Sequence, residues 1–295
     1  MKRILIYILI LCALLSGCAP GETAQVAATT LPVYEFTCRI TEDTGITVTR
    51  LVTENVSCLH DYALNVSQVK AVESAELIVI SGAGLEDFMD DLLQGRKTVD
   101  ASTGVALTEC ATEHDHEHEH DHEHEHGHDH EVDSHIWLSP ANAKIMAENI
   151  CAGLSARYPE HADEFSENLE KLLADIDALE AYGNAQLADL STREMVTFHD
   201  GFGYFAQTFD LHILEAVEEE SGSEASAQEL KHLISIVREH ELTAVFTERN
   251  GSVSAAEVIC REAGIEQFTL DMAMGGDSWF EAMVHNIDTI KEAMG

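Results

Sequence analysis

The stretch "EHADEFSENLEKLLADIDALEAYGNAQLADL", residues 160–190, decides the fold. Phe165, Leu169, Leu172, Leu173, Ile176 and Leu179 recur at three- and four-residue intervals, the spacing of a single apolar stripe along a helix. At 1.5 Å per residue, about 25 residues of helix span roughly 38 Å, the width of a domain. On both sides of this stretch, short apolar runs alternate with amphipathic segments.

Upstream, strands are expected at residues 26–30, 46–52, 77–80 and 98–101, with a helix opened by Pro32 and another over 140–158. The run at 77–80 is continuously apolar and stops at Ser81-Gly82, as buried parallel strands do. Downstream, strands at 195–198, 211–217, 244–247 and 267–270 alternate with helices at 203–209, 225–240, 254–263 and 278–293. Leu230, Leu233, Ile234 and Val237 share one face of the second of these helices. Such alternation predicts an α/β protein: two β/α lobes joined by one long rigid helix, with a cleft between them. Residues 82–87, GAGLED, mimic a dinucleotide fingerprint only loosely, because the sixth position is Asp87.

The chain has 295 residues, 45% of them apolar, and a formal charge of −38. That is enough for a sizeable core and for two domains of ordinary size. The acidity excludes nucleic acid and anionic membrane surfaces as ligands, since both need clustered Lys and Arg; it suits cations.

Residues 1–17 read as a signal peptide, with Lys2 and Arg3 before an apolar run too short for a comfortable membrane span. The run ends in Leu15-Ser16-Gly17-Cys18, which resembles a bacterial lipobox. Lipidation of Cys18 would tether the protein to the bilayer through residues 18–24. The expected organisation is therefore signal peptide 1–17, tether 18–24, N-terminal α/β lobe 25–158, linking helix 159–190 and C-terminal α/β lobe 191–295. Of seven cysteines, Cys12 leaves with the signal and Cys18 takes the lipid, so five remain. Outside the cell a disulfide is permitted, and Cys38 with Cys58 is the candidate pair. No CxxC occurs, which argues against a thiolate zinc site.

Histidine is distributed unevenly. His114, His116, His118, His120, His122, His124, His126, His128 and His130 stand in one acidic run inside a loop spanning 113–131. This low-complexity segment offers many weak imidazole ligands among carboxylates. Three other histidines stand apart. His60 and His199 follow expected strands, and His135 precedes a helix. Ligands of open α/β sheets gather at the carboxyl ends of strands, where Glu248 and Asp271 also fall. Three imidazoles and a carboxylate converging from two lobes would form a tetrahedral site of zinc type. His161, His212, His232, His240 and His285 carry no such context.

Six motifs, Ala28-Thr29-Thr30-Leu31-Pro32, His60-Asp61-Tyr62, His135-Ile136-Trp137-Leu138-Ser139-Pro140, Phe198-His199-Asp200, Phe246-Thr247-Glu248 and Leu270-Asp271, together resemble those of the metal-binding lipoproteins of bacterial ABC importers for zinc and manganese. The resemblance covers nearly the whole mature chain. It implies two α/β lobes on one long helix, with a metal site in the interlobe cleft built from His60, His135, His199 and Asp271, with Glu248 as the alternative carboxylate. Two departures stand out: Ser57-Cys58 replaces a frequent Glu-Pro before the first ligand, and Ser134 a frequent Pro before the second. Neither removes a ligand. Manganese members typically pair two histidines with two carboxylates, whereas His199 at the third position points to Zn²⁺ over Mn²⁺. The His-rich loop is likewise a zinc feature of the family, with an auxiliary, low-affinity role.

The resemblance implies an extracytoplasmic, lipid-anchored, monomeric zinc receptor partnered by the membrane permease of an ABC importer. A zinc hydrolase is disfavoured because no HExxH occurs and no motif places a general base. A manganese receptor, or an extracellular zinc buffer or adhesin working through the His run, are the alternatives.

Overall fold

A computed structural model describes residues 24–54, 56, 59, 62–108, 132–217, 226–249, 251 and 253–295. The signal peptide, Cys18, Cys58, His60 and the nine histidines of residues 114–130 lie outside the described residues.

Two four-stranded parallel sheets form the two lobes. In the first, β1 (Val26–Ala28) lies between β2 (Val48–Arg50) and β3 (Leu77–Ile80), and β4 (Thr98–Asp100) is the outer strand beyond β3. In the second, β5 (Glu194–Thr197) lies between β6 (His212–Ala216) and β7 (Ala244–Glu248), with β8 (Glu266–Leu270) outermost beyond β7. Both lobes thus wind in the same order. Each has a point at the carboxyl ends of its two central strands where successive connections depart in opposite directions, and such points collect ligands. Thr29, Thr30 and Ser81 sit at the first, His199 and Glu248 at the second.

The helices follow from simple local causes. Pro32 sits in the first turn of α1 (Leu31–Ile40), where its missing N–H costs nothing. α2 (Val66–Ser74) is set by a capping box between Asn65 and Gln68. A short α3 (Asp90–Leu93) precedes β4. Ser139 caps α4 (Pro140–Arg157), and α5 (Ala162–Gln186) is the long helix expected from the sequence. In the second lobe α6 (Gly203–Thr208), α7 (Ala227–Glu239), α8 (Ser254–Ala263) and α9 (Trp279–Met294) follow the strands.

α5 packs against α1 and α4 of the first lobe and α9 of the second. Its buried stripe is Phe165, Asn168, Leu172, Ile176, Leu179 and Gly183. The polar member closes off the neighbouring helix. Asn168 Nδ2 donates to the carbonyls of Ile40 (3.2 Å) and Glu42 (3.0 Å), satisfying acceptors that the end of α1 leaves open. Gly183 lets α5 approach the second lobe, because a Cβ there would lie 2.3 Å from the Phe209 ring and 3.0 Å from Ile287. Two tryptophans join the lobes near the cleft. Trp137 Nε1 donates to the Met272 carbonyl (2.7 Å), and Trp279 Nε1 donates to the Trp137 carbonyl (3.0 Å). Both indoles are fully buried, so each N–H needs the partner it has. Among the described residues no helix is long and apolar enough to cross a membrane.

Candidate metal centre

The chain turns sharply at His135, between Ser134 and a 3₁₀ turn at Ile136–Leu138 whose three residues are wholly buried. Apolar burial on this turn and the two tryptophan hydrogen bonds fix the backbone that carries the imidazole. His199 follows the carboxyl end of β5. Both rings are almost completely buried, at 6% and 3% exposure for the two residues. Their Nε2 atoms face each other at 3.3 Å, with the ring planes 89° apart.

Each imidazole has a carboxylate on the nitrogen turned away from this meeting point. Asp133 Oδ1 lies 2.8 Å from His135 Nδ1 and also accepts the His135 backbone N–H at 2.9 Å. Glu248 Oε2 lies 3.8 Å from His199 Nδ1, longer than a hydrogen bond but close for an ion-stabilising group. An Nδ1–H donated toward a carboxylate leaves the Nε2 lone pair free for a metal. Two lone pairs then point at one spot, which is repulsive without a cation. Gly201 keeps that spot open: a Cβ there would fall 2.8 Å from His199 Cδ2, 3.0 Å from His135 Cε1 and 2.7 Å from Met272 Cε.

His135 and His199 are therefore brought together. Glu248 stands behind His199, on the Nδ1 side, which suits an orienting carboxylate better than a ligand. Asp271 is 8% exposed and engaged elsewhere: Oδ1 accepts the Ala273 N–H at 2.8 Å, and Oδ2 pairs with Arg249 Nη1 at 3.1 Å. Among the described residues, no three His, Cys, Asp or Glu side chains are gathered closely enough to hold a metal ion. Sequence reasoning gives no role to Asp133, Gly201 or Arg249. An acidic residue two positions before a candidate ligand, and a glycine two positions after one, are the signals that point to the first two.

Cys38 is a free thiol, as are Cys151 and Cys260 among the described residues. The expected Cys38–Cys58 pairing involves Cys58, which lies outside the described residues; Cys38 itself lies half-buried on α1, hydrogen-bonded to Tyr34 one turn earlier.

The switch point of the first lobe holds a buried acid. Glu86 accepts the Thr29 hydroxyl (2.5 Å) and the backbone N–H groups of Ser81 (2.8 Å) and Gly82 (2.9 Å). Burial outweighs these bonds and pushes its carboxyl from 4.5 up to about 7. The folded protein thus holds this proton more tightly than the unfolded chain, so stability falls as pH rises from 4.5 to about 7. The span corresponds to about 3 kcal/mol. Urea unfolding of the wild type and of Glu86→Gln across this window is expected to show the wild type losing stability, relative to the variant, by an amount of that order. Parallel stability curves would disprove the assignment.

Comparisons with known proteins agree with this architecture. The zinc-binding protein AdcA of Streptococcus pyogenes is 29% identical over 90% of this chain and 55% of its own length. The zinc-binding lipoprotein AdcA of Streptococcus pneumoniae is 28% identical over 99% of this chain and 61% of its own length. The chain therefore spans little more than half of these relatives. A crystal structure of ZnuA superposes with a TM-score of 0.78 at 29% identity, covering 92% of this chain and 100% of that one. The sequence model of one family, described as "ZnuA: Zinc-uptake complex component A periplasmic", matches residues 26–293, and the chain belongs to that family.

Proposed function

We propose that this protein is an extracytoplasmic receptor that binds Zn²⁺ tightly and hands it to the permease of an ABC importer. The observation that carries the reading is the pair of buried Nε2 atoms at 3.3 Å, each ring backed by a carboxylate. His60, His135 and His199 are the proposed ligands; Asp271 stands beside the site with its oxygens engaged by Arg249 and the Ala273 N–H rather than by the metal, and Glu248 orients His199. An imidazole-dominated set of this kind favours Zn²⁺ over Mn²⁺. The family and the zinc-binding names of the relatives support the same metal. The protein binds and releases its cargo without chemistry on it, so no enzymatic role is assigned. Cys18 is the proposed lipid anchor, and the receptor acts as a monomer.

The His run is proposed as an auxiliary, low-affinity store that concentrates zinc beside residue 135. Deleting residues 114–130 tests the division of labour. Zinc titration is expected to show fewer bound ions per chain, with one tight site retained at unchanged affinity. Loss of the tight site on deletion would favour a passive buffer instead.

A further inference from the structure

We infer that Arg249 is a specificity-determining residue: by pairing with Asp271 it withholds a carboxylate oxygen from the metal and so biases the site against Mn²⁺. The inference rests on the zinc-receptor reading above.

The pairing is dictated by the sheet. β7 and β8 run parallel with Glu248 in register with Leu270. The next residues along, Arg249 and Asp271, are therefore opposite one another just past the ladder, and the Arg249 N–H still donates to the Leu270 carbonyl at 3.0 Å. From there the guanidinium reaches Asp271 Oδ2 at 3.1 Å. The Asp271 backbone has no freedom to turn away, because Asn286 Oδ1 accepts its N–H and Asn286 Nδ2 donates to its carbonyl, both at 2.7 Å. Asn286 is completely buried. Asp271 thus has one oxygen held by the Ala273 N–H and the other by a cation.

The adjacent residue is at the site: the Met272 methyl shares the space beside Gly201 with both imidazoles. Asp271 is in sequence position to serve as an oxygen ligand, yet it is not gathered with His135 and His199. Arg249 accounts for this. A guanidinium at hydrogen-bond distance also offsets the carboxylate's charge. Mn²⁺ depends on oxygen donors and negative charge, whereas Zn²⁺ is satisfied by nitrogen donors in a four-coordinate site. Releasing Asp271 should therefore help Mn²⁺ more than Zn²⁺.

The test uses the full chain and chelator-competition titrations with each metal alone. In Arg249→Ala, Mn²⁺ affinity is expected to rise by up to about fivefold, with Zn²⁺ affinity changing much less. Asp271→Asn added to Arg249→Ala should erase the gain. Arg249 is half-exposed, and Arg249→Gln provides a bulkier neutral replacement expected to behave as the alanine does. X-ray absorption on zinc-loaded protein should add an oxygen neighbour only in the Arg249 variants. An unchanged Mn²⁺-to-Zn²⁺ affinity ratio in both variants would overturn the inference, as would an Asp271→Asn single variant that loses zinc affinity as a ligand mutant does. The absence of any tight zinc site in the wild type would instead overturn the receptor reading itself.

Discussion

Replacing His199 with alanine is expected to weaken zinc binding by roughly 10²–10³-fold. A four-coordinate zinc site contributes roughly 10–16 kcal/mol of binding free energy in all, so one position accounts for about 2.5–4 kcal/mol, and each 1.4 kcal/mol is a factor of ten. His199 should sit at the upper end of this range. It is nearly inaccessible to solvent, so water enters the vacated position poorly, and Glu248, only 3% exposed, loses the imidazole it faces. A chelator-competition titration of the variant measures the loss. Circular dichroism should show the fold retained, because His199 lies past the end of β5 rather than within its ladder. A variant that binds zinc with wild-type affinity would remove His199 from the site.

The long helix is legible in the sequence because its cause is local: an apolar residue every third or fourth position needs no knowledge of what it packs on. The observed buried stripe keeps Phe165, Leu172, Ile176 and Leu179, while Leu169 and Leu173 pack only partly buried at its edge. The strands are legible for the same reason, though with ends displaced by a residue or two. β2 illustrates the displacement: seven residues alternate favourably from 46 to 52, yet only Val48–Arg50 pair with β1, because the ladder is only as long as its partner. α2 leaves no periodic trace. It buries only Gln68 and Val72, too little to make such a signal; its actual signature is the Asn65 and Gln68 capping pair. Of the site, His135 and His199 are legible as helix- and strand-end histidines in motifs. The Arg249–Asp271 pair is not, because it depends on the register of two strands that the sequence does not state. Asp133 lies two positions before His135, but its role depends on a side-chain direction that residue order alone leaves open.

Asp133 carries the second large effect. Its carboxylate receives two N–H groups from His135, one from the backbone and one from the ring, at 2.9 and 2.8 Å. The first holds the turn and the second selects the tautomer whose Nε2 lone pair faces His199. Tyr204 braces the same residue from the second lobe, its hydroxyl donating to the Asp133 carbonyl at 3.2 Å, and Gly203 leaves room for the other carboxylate oxygen, which a Cβ there would approach to 3.1 Å. Removing a carboxylate behind a metal-bound imidazole typically costs 10–100-fold in affinity, and about that loss is expected for Asp133→Ala. Asp133→Asn keeps an acceptor at the same place without the charge, so it should recover part of the affinity. Nitrogen-15 chemical shifts of the His135 ring separate positioning from mere destabilisation: the alanine variant should show the Nε2–H tautomer populated in the metal-free protein, and the asparagine variant should retain Nδ1–H. If Asp133→Ala kept both wild-type affinity and the Nδ1–H tautomer, the orientation of His135 would have to come from the buried turn at Ile136–Leu138 alone.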